Sequence, residues 1–298
     1  MVSPKWPYNV YNIEGKILLK AKQRITKYLV QKIVKTKHIQ IKKVNLSKTT
    51  IINDLITLFD KDTYRTFFSN CESTLQVLNI IDQIEFTEPI INELISMKQT
   101  LPLTYNHILI VSALSIKVSL EFKDPHFDIY KIARIGLVHD IGKSRIPKKV
   151  LEKKTPLTDY EFKIIQEHPL IDYLLISHYL NNSRSIIAKA SFAHHERSDG
   201  SGYPCGVKRL NKYVQTIIPC DIFHALISPR PYRSSPFTVR AALDLLLEES
   251  KKGKINMNFV KCLISLARKD KPHYQEVKIS KPGRDAPPKI NYYGIRKK

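Results

Sequence analysis

From Pro89 to about residue 270 the chain carries one helical segment after another, with short breaks and almost no strand signal. This limits the fold more than any other feature. A chain whose apolar residues recur every three or four positions has to bury one stripe of each helix against its neighbours, and the result is an all-α bundle. Pro89 suits a first helical turn. Residues 105–122 keep Ile108, Val111, Leu114, Ile116 and Val118 apolar, with His107 one turn before Val111 on the same face. A helix is expected over 129–141, ended by Gly142. Another starts at Thr158, where Glu161 three residues on completes a capping box. Pro169 marks where that helix yields to the next, and further helices are expected over 185–195, 219–227 and 238–250.

On either side the pattern changes. Residues 1–88 read as a basic, mainly helical region of unknown role, with which a regulatory one is compatible. Apolar and lysine positions at helical spacing run over 13–60, and helical patterning returns over 50–60 and 64–84. Residues 38–46 alternate more like a short strand or extended linker. Residues 271–298 mix proline, glycine and charge with little periodicity, so a flexible tail or a small appended element is expected. The expected organisation is therefore 1–88, 89–270 and 271–298.

The formal net charge is +22, and residues 1–50 and 271–298 contribute +11 and +6 of it. Basic ends of this kind could attract nucleic acid or an anionic membrane surface, or simply solvate the protein. The most apolar stretch, 101–122, is broken by Asn106, His107, Ser112, Ser115 and Lys117, and the first residues contain no apolar signal core. A cytoplasmic location is expected. Cys71, Cys205, Cys220 and Cys262 form no C-x-x-C pair, so neither a disulfide framework nor a thiolate zinc site is indicated.

Chemistry is concentrated in a sparse series within 89–270: His107, His139-Asp140, His168, His194-His195 and Asp221. Imidazole and carboxylate suit borderline divalent metals. Most of these residues fall at or near expected helix ends, where neighbouring side chains can turn toward one point. Seven side chains are too many for one ion but suit two if a carboxylate bridges them, and Asp140 is the candidate bridge. Two ions roughly 3.5–4 Å apart can hold a bridging hydroxide and clamp the attacking and leaving oxygens of a phosphoester. Lys143, three residues after the histidine-aspartate doublet, could neutralise phosphate charge.

HDIGKSRIPKKVL, LTDYEFKIIQEHPLIDYLLI, HHERSDGSGYP and DIFHALISPRPYR, in that order over about 89–268, closely resemble the HD-GYP family of metal-dependent phosphodiesterases. The resemblance implies an HD-domain helical bundle and hydrolysis of the bacterial second messenger cyclic di-GMP to pGpG or GMP. It implies a two- or three-metal centre, with iron or manganese expected. The family's ligands fall on His107, His139, Asp140, His168, His194, His195 and Asp221, and its lysine on Lys143. Its signature loop falls on Gly202, Tyr203 and Pro204, and RPYR supplies Arg230 and Arg233 to face phosphates.

Some positions depart from the family pattern. Leu103 stands where three-metal members carry an acid, which favours two ions and makes His107 the least secure ligand. His224 stands where a second aspartate is common, and should alter hydrogen bonding around the ligands. Ile227 replaces a common threonine. Two other readings stay open: a cyclic di-GMP receptor with a degenerate site, and a nucleic-acid-binding protein using its basic ends. A homodimer or a regulatory protein partner is compatible with either enzyme or receptor.

Overall fold

The computed structural model describes residues 6–35 and 42–279, together with 285, 288–289, 291 and 296–297. The chain opens with a short antiparallel pair, β1 (Val10–Tyr11) and β2 (Ile17–Leu19), followed by α1 (Lys27–Lys35). This corrects the helix expected from residue 13. Its lysines and apolar residues instead alternate through a turn, with Val10 and Leu19 buried and Ile17 exposed. Then β3 (Lys43–Asn45) pairs antiparallel with β4 (Glu85–Thr87), enclosing α2 (Ile51–Phe59), α3 (Asp62–Phe68) and α4 (Cys71–Asp82). The expected strand character of 38–46 thus appears at its end, while 38–41 lie outside the described residues. The single helix expected over 64–84 is divided by Ser69 and Asn70, because the Asn70 side chain accepts the Ser73 N–H and starts a new helix.

The rest is helical. α5 (Glu88–Thr100) leads into the long α6 (Pro102–Phe122), then α7 (Ile129–Val138), α8 (Lys148–Leu151), the two-residue strand β5 (Leu157–Thr158), α9 (Asp159–Gln166) and α10 (His168–Tyr179). α11 (Ile186–Ala193), α12 (Lys212–Ile227), α13 (Val239–Lys251) and α14 (Met257–Ala267) follow. The Thr158–Glu161 capping box is present. α12 starts well before the expected position. Asn211 caps it by accepting the Val214 N–H, and Pro219, which looked like a helix start, lies inside it.

α6 is the centre of the bundle, packed by α7, α12, α14 and α5. By length and composition alone it could cross a membrane, but it is the core helix of this fold: 83% of its most apolar window is buried. Ser112 Oγ donates to Ala133 O at 2.9 Å and locks α6 to α7. One core of buried apolar side chains runs from Trp6 through Leu109 and Phe223 to Tyr274. The C-terminal residues described are not detached from it: Tyr274 and Val277 are buried, and β6 (Arg296–Lys297) lies parallel to β5. Of the tail expected over 271–298, most residues beyond 279 lie outside the described residues.

Candidate metal centre

Three helix termini and two helix interiors converge on one buried point. His107 comes from the second turn of α6 and Asp221 from α12. His139 caps the C-terminus of α7, and Asp140 follows it. His168 opens α10, and His194 caps α11 with His195 next in sequence. All seven predicted ligands are thereby brought together, in two groups whose candidate ligand atoms lie within 4.8 Å of one another: Asp140, His168, His194 and His195, and His107, His139 and Asp221.

Asp140 belongs to both groups through different oxygens. Its Oδ1 lies 3.1 Å from His168 Nε2 and 3.6 Å from His194 Nε2. Its Oδ2 lies 3.5 Å from His107 Nε2 and 3.6 Å from His139 Nε2. Asp221 Oδ1 closes the second group, 3.0 Å from His107 Nε2 and 3.9 Å from His139 Nε2.

The helix ends also fix the tautomers. Nδ1 of His139, His168 and His194 lies 2.8, 2.6 and 2.5 Å from the carbonyl oxygen three residues back, on Gly136, Ile165 and Ser191. A carbonyl can only accept, so each Nδ1 carries the proton and each Nε2 presents a lone pair to the centre. His168 Nε2 then lies 3.2 Å from His194 Nε2 and 3.1 Å from His195 Nε2. The His168 and His194 lone pairs, aimed at one another at 3.2 Å, repel unless a cation lies between them. His139 Nε2 is buried with no hydrogen-bond partner. The donor set therefore fits divalent metal, in a carbonyl-supported arrangement common around metal-bound histidine.

The electrostatics agree. Burial drives the imidazoles toward their neutral form, with His107 and His168 pushed down to about 4 and His139 and His195 also lowered. Burial opposes ionisation of Asp140 and Asp221 too, but Lys143 and the histidines at Asp140, and the histidines alone at Asp221, outweigh it and hold both carboxylates well below the usual range. Neutral imidazoles and ionised carboxylates are the forms a metal ligand needs.

Around this point the remaining predicted residues divide. Lys143 sits on a 3-10 turn, Ile141–Arg145, with Nζ 2.6 Å from Asp140 Oδ2. Burial works against its charge, yet Asp140 and Asp221 raise its pKa. α7 ends at Val138, before Gly142, so that glycine has another purpose than ending the helix. A Cβ there would lie 2.5 Å from His168 O, and only glycine lets the turn pack against α10. Gly202 and Pro204 shape the signature loop, whereas Tyr203 lines the cavity and stacks on His195 with ring centroids 4.6 Å apart. A Cβ on Gly202 would come 2.4 Å from Glu196 Cα. Glu196, buried, holds the loop by accepting the Cys205 and Val207 N–H groups at 2.7 and 3.1 Å.

Arg230 lines the cavity above the centre, and its Nε has no hydrogen-bond partner. Arg233 also lines it, but its Nη1 donates to Leu226 O at 2.5 Å and its guanidinium lies 4.9 Å from the Phe237 ring centre. Its evident work is closing the end of α12. Two residues of the site escaped the sequence reading. Asp172 accepts the Gly142 N–H at 2.5 Å, and its position one turn after His168 was the available signal. Tyr64 reaches the centre through His224, from 160 residues away, and no local signal marks it.

An HD domain family model matches residues 89–258, more than half of the chain. The chain belongs to the HD domain family. It is 32% identical over 148 residues to a cyclic di-GMP phosphodiesterase of Pseudomonas aeruginosa, covering 47% of this chain and 34% of that protein. It is 40% identical over 111 residues to the cyclic di-GMP phosphodiesterase response regulator RpfG of Xanthomonas campestris, covering 37% and 29%. It is 30% identical over 142 residues to a 3'3'-cGAMP-specific phosphodiesterase of Vibrio cholerae, covering 47% and 32%. The chain spans about a third of the length of these curated relatives.

Proposed function

We propose that this HD domain protein hydrolyses a cyclic dinucleotide, cyclic di-GMP first, at a centre of two divalent ions held by the seven converging side chains. The observation that carries the reading is Asp140, whose two oxygens face two separate ligand groups. Iron or manganese suits the donor set. When bound, the ions supply Lewis-acid charge to the phosphoester and make water a better nucleophile.

The protein's own residues position and neutralise. Asp140 is held ionised and oriented by Lys143. Lys143, as an ammonium at the cavity wall, and Arg230, with Nε unpartnered, are placed to bind non-bridging phosphate oxygens as negative charge grows on them. The Tyr203 ring, backed by His195, offers a flat face to a purine. Leu103, Phe162 and Leu226 make an apolar wall that limits water around the reacting group. In the reaction a bond forms from water oxygen to phosphorus, the bond from phosphorus to the 3′-oxygen breaks, and the water proton ends on that oxygen. The first product is linear pGpG, and a second cycle gives GMP.

The test is to load the protein with Mn(II) or, without oxygen, Fe(II), and to follow cyclic di-GMP and 3'3'-cGAMP by chromatography. Linear product from cyclic di-GMP is expected, and Asp140→Ala should lose both metal and turnover. Full turnover by metal-loaded Asp140→Ala would overturn the mechanism. Tight binding of cyclic di-GMP without product would make the protein a receptor, and product from 3'3'-cGAMP alone would change the substrate.

A further inference from the structure

His107 differs from the other histidines in what supports it. His139, His168 and His194 lean on backbone carbonyls, but His107 Nδ1 lies 2.7 Å from Nδ1 of another imidazole, His224. Two ring nitrogens at that distance share one proton, so one donates and the other accepts. His224 Nε2 in turn lies 2.8 Å from the hydroxyl of Tyr64, on α3. His107, His224 and Tyr64 are all buried. We propose that Tyr64 is a positioning residue for the metal centre, acting through His224 to set the tautomer of His107.

The protons can be followed along the chain. For His107 Nε2 to offer a lone pair beside Asp221 Oδ1, its proton must be on Nδ1 and be donated to His224 Nδ1. His224 must then carry its own proton on Nε2 and donate it to Tyr64 Oη, whose hydroxyl proton can go to Ser228 Oγ, because the Ser228 proton is itself donated to His224 O at 2.5 Å. Other neighbours do not make that choice. Ser228 Oγ is 3.1 Å from both nitrogens of His224 and favours neither. Arg230 Nη2, which can only donate, makes a long 3.4 Å contact with His107 Nδ1 that works against a proton there and is outweighed by the 2.7 Å contact with His224.

Without the tyrosine hydroxyl, the opposite tautomer of His224 competes. Its Nδ1–H would point at His107 and push the His107 proton to Nε2, where it blocks a metal. The relay thus ties α3, in the region whose role was unknown from sequence, to one of the two ligand groups. The inference rests on the metal-centre reading above and concerns only the group of His107, His139 and Asp221.

Equilibrium dialysis with Mn(II) on the full chain tests it without relying on turnover. Tyr64→Phe keeps the ring and removes only the hydroxyl. The expected result is two ions bound by wild type, and by Tyr64→Phe one ion at unchanged affinity and one weakened roughly 10-fold, the lower end for outer-sphere changes. A second background separates relay from general loosening. His224→Asp replaces the relaying ring by a carboxylate that accepts directly from His107 Nδ1 and is too short to need Tyr64. In that background Tyr64→Phe should leave Mn(II) affinity unchanged.

Equal affinities of wild type and Tyr64→Phe, with two ions bound by each, would overturn the relay and leave the metal centre standing. An equal loss on Tyr64→Phe in both backgrounds would overturn it as well, since the hydroxyl would then act on packing. Failure of wild type to bind Mn(II) would overturn the metal-centre reading itself.

Discussion

Asp172 shows how one buried carboxyl can support the site without joining it. Burial first, and the charge of Asp140 second, raise its pKa well above the usual carboxylate range, while Oδ1 still accepts the Gly142 N–H. A raised acid contributes its stability at low pH and loses it as pH climbs from about 4 through the folded-state value. In metal-free protein, Asp172→Asn should therefore be at least as stable as wild type at pH 7, with the advantage shrinking toward pH 4. Asp172→Leu should cost about 1–3 kcal/mol at either pH, because the Gly142 N–H is left buried and unpaired. Thermal unfolding of the two variants across that pH range checks both. His139, Asp140, His168, His194 and His195 were legible at this scale from helix-end signals, whereas His107 and Asp221 lie inside α6 and α12 and were legible through the motifs of the family resemblance. Tyr64, His224 as a relay and the diversion of Arg233 to Leu226 O were not, because they depend on contacts between segments far apart in sequence.

Between elements, the turn that carries Lys143 is fixed by a buried charge cluster. Arg145 pairs with Glu93 of α5, its Nε donates to Tyr11 O at 2.8 Å, and Tyr179 Oη donates to Glu93 Oε1 at 2.5 Å. Tyr179 Oη also accepts the Ile13 N–H at 2.9 Å, so the β1–β2 turn, α5, α10 and the metal-site turn meet at one carboxylate. Glu93→Ala should lower stability by about 3–5 kcal/mol, the cost of stranding a buried partner. It should also open residues 9–16 to protease, read by thermal unfolding and by mapping the first cuts. Helix ends with a capping side chain or a proline in the first turn could be read from sequence. The start of α12 could not, because Pro219 looked like an N-terminus and the Asn211 cap was hidden in a polar loop. The β1–β2 pair was hidden for a related reason, since short apolar-lysine alternation fits either period over so few residues.

As a whole molecule the protein has one core, although its sequence divides into three. Trp6, Val10, Leu19 and Val30 are buried in the same cluster as the α6 and α12 side chains. Each large apolar side chain so buried is worth about 1.5–3 kcal/mol, against a total stability of order 5–15 kcal/mol. Deleting residues 1–35 should therefore remove cooperative folding of the remainder rather than release an intact domain. Calorimetry should show one transition for the full chain and none of comparable enthalpy for the truncated one.

The unequal support of His107 and of His139, His168 and His194 has an evolutionary side. A ring held by a main-chain carbonyl has an anchor that no side-chain exchange can erase, so His139, His168 and His194 are sheltered from mutation in their surroundings. His107 hangs on the identities of positions 224 and 64, and single-codon changes at either can retune it. Divergence among related chains should therefore collect on that half of the centre, where new metal preferences or a loss of turnover can arise while the other half endures.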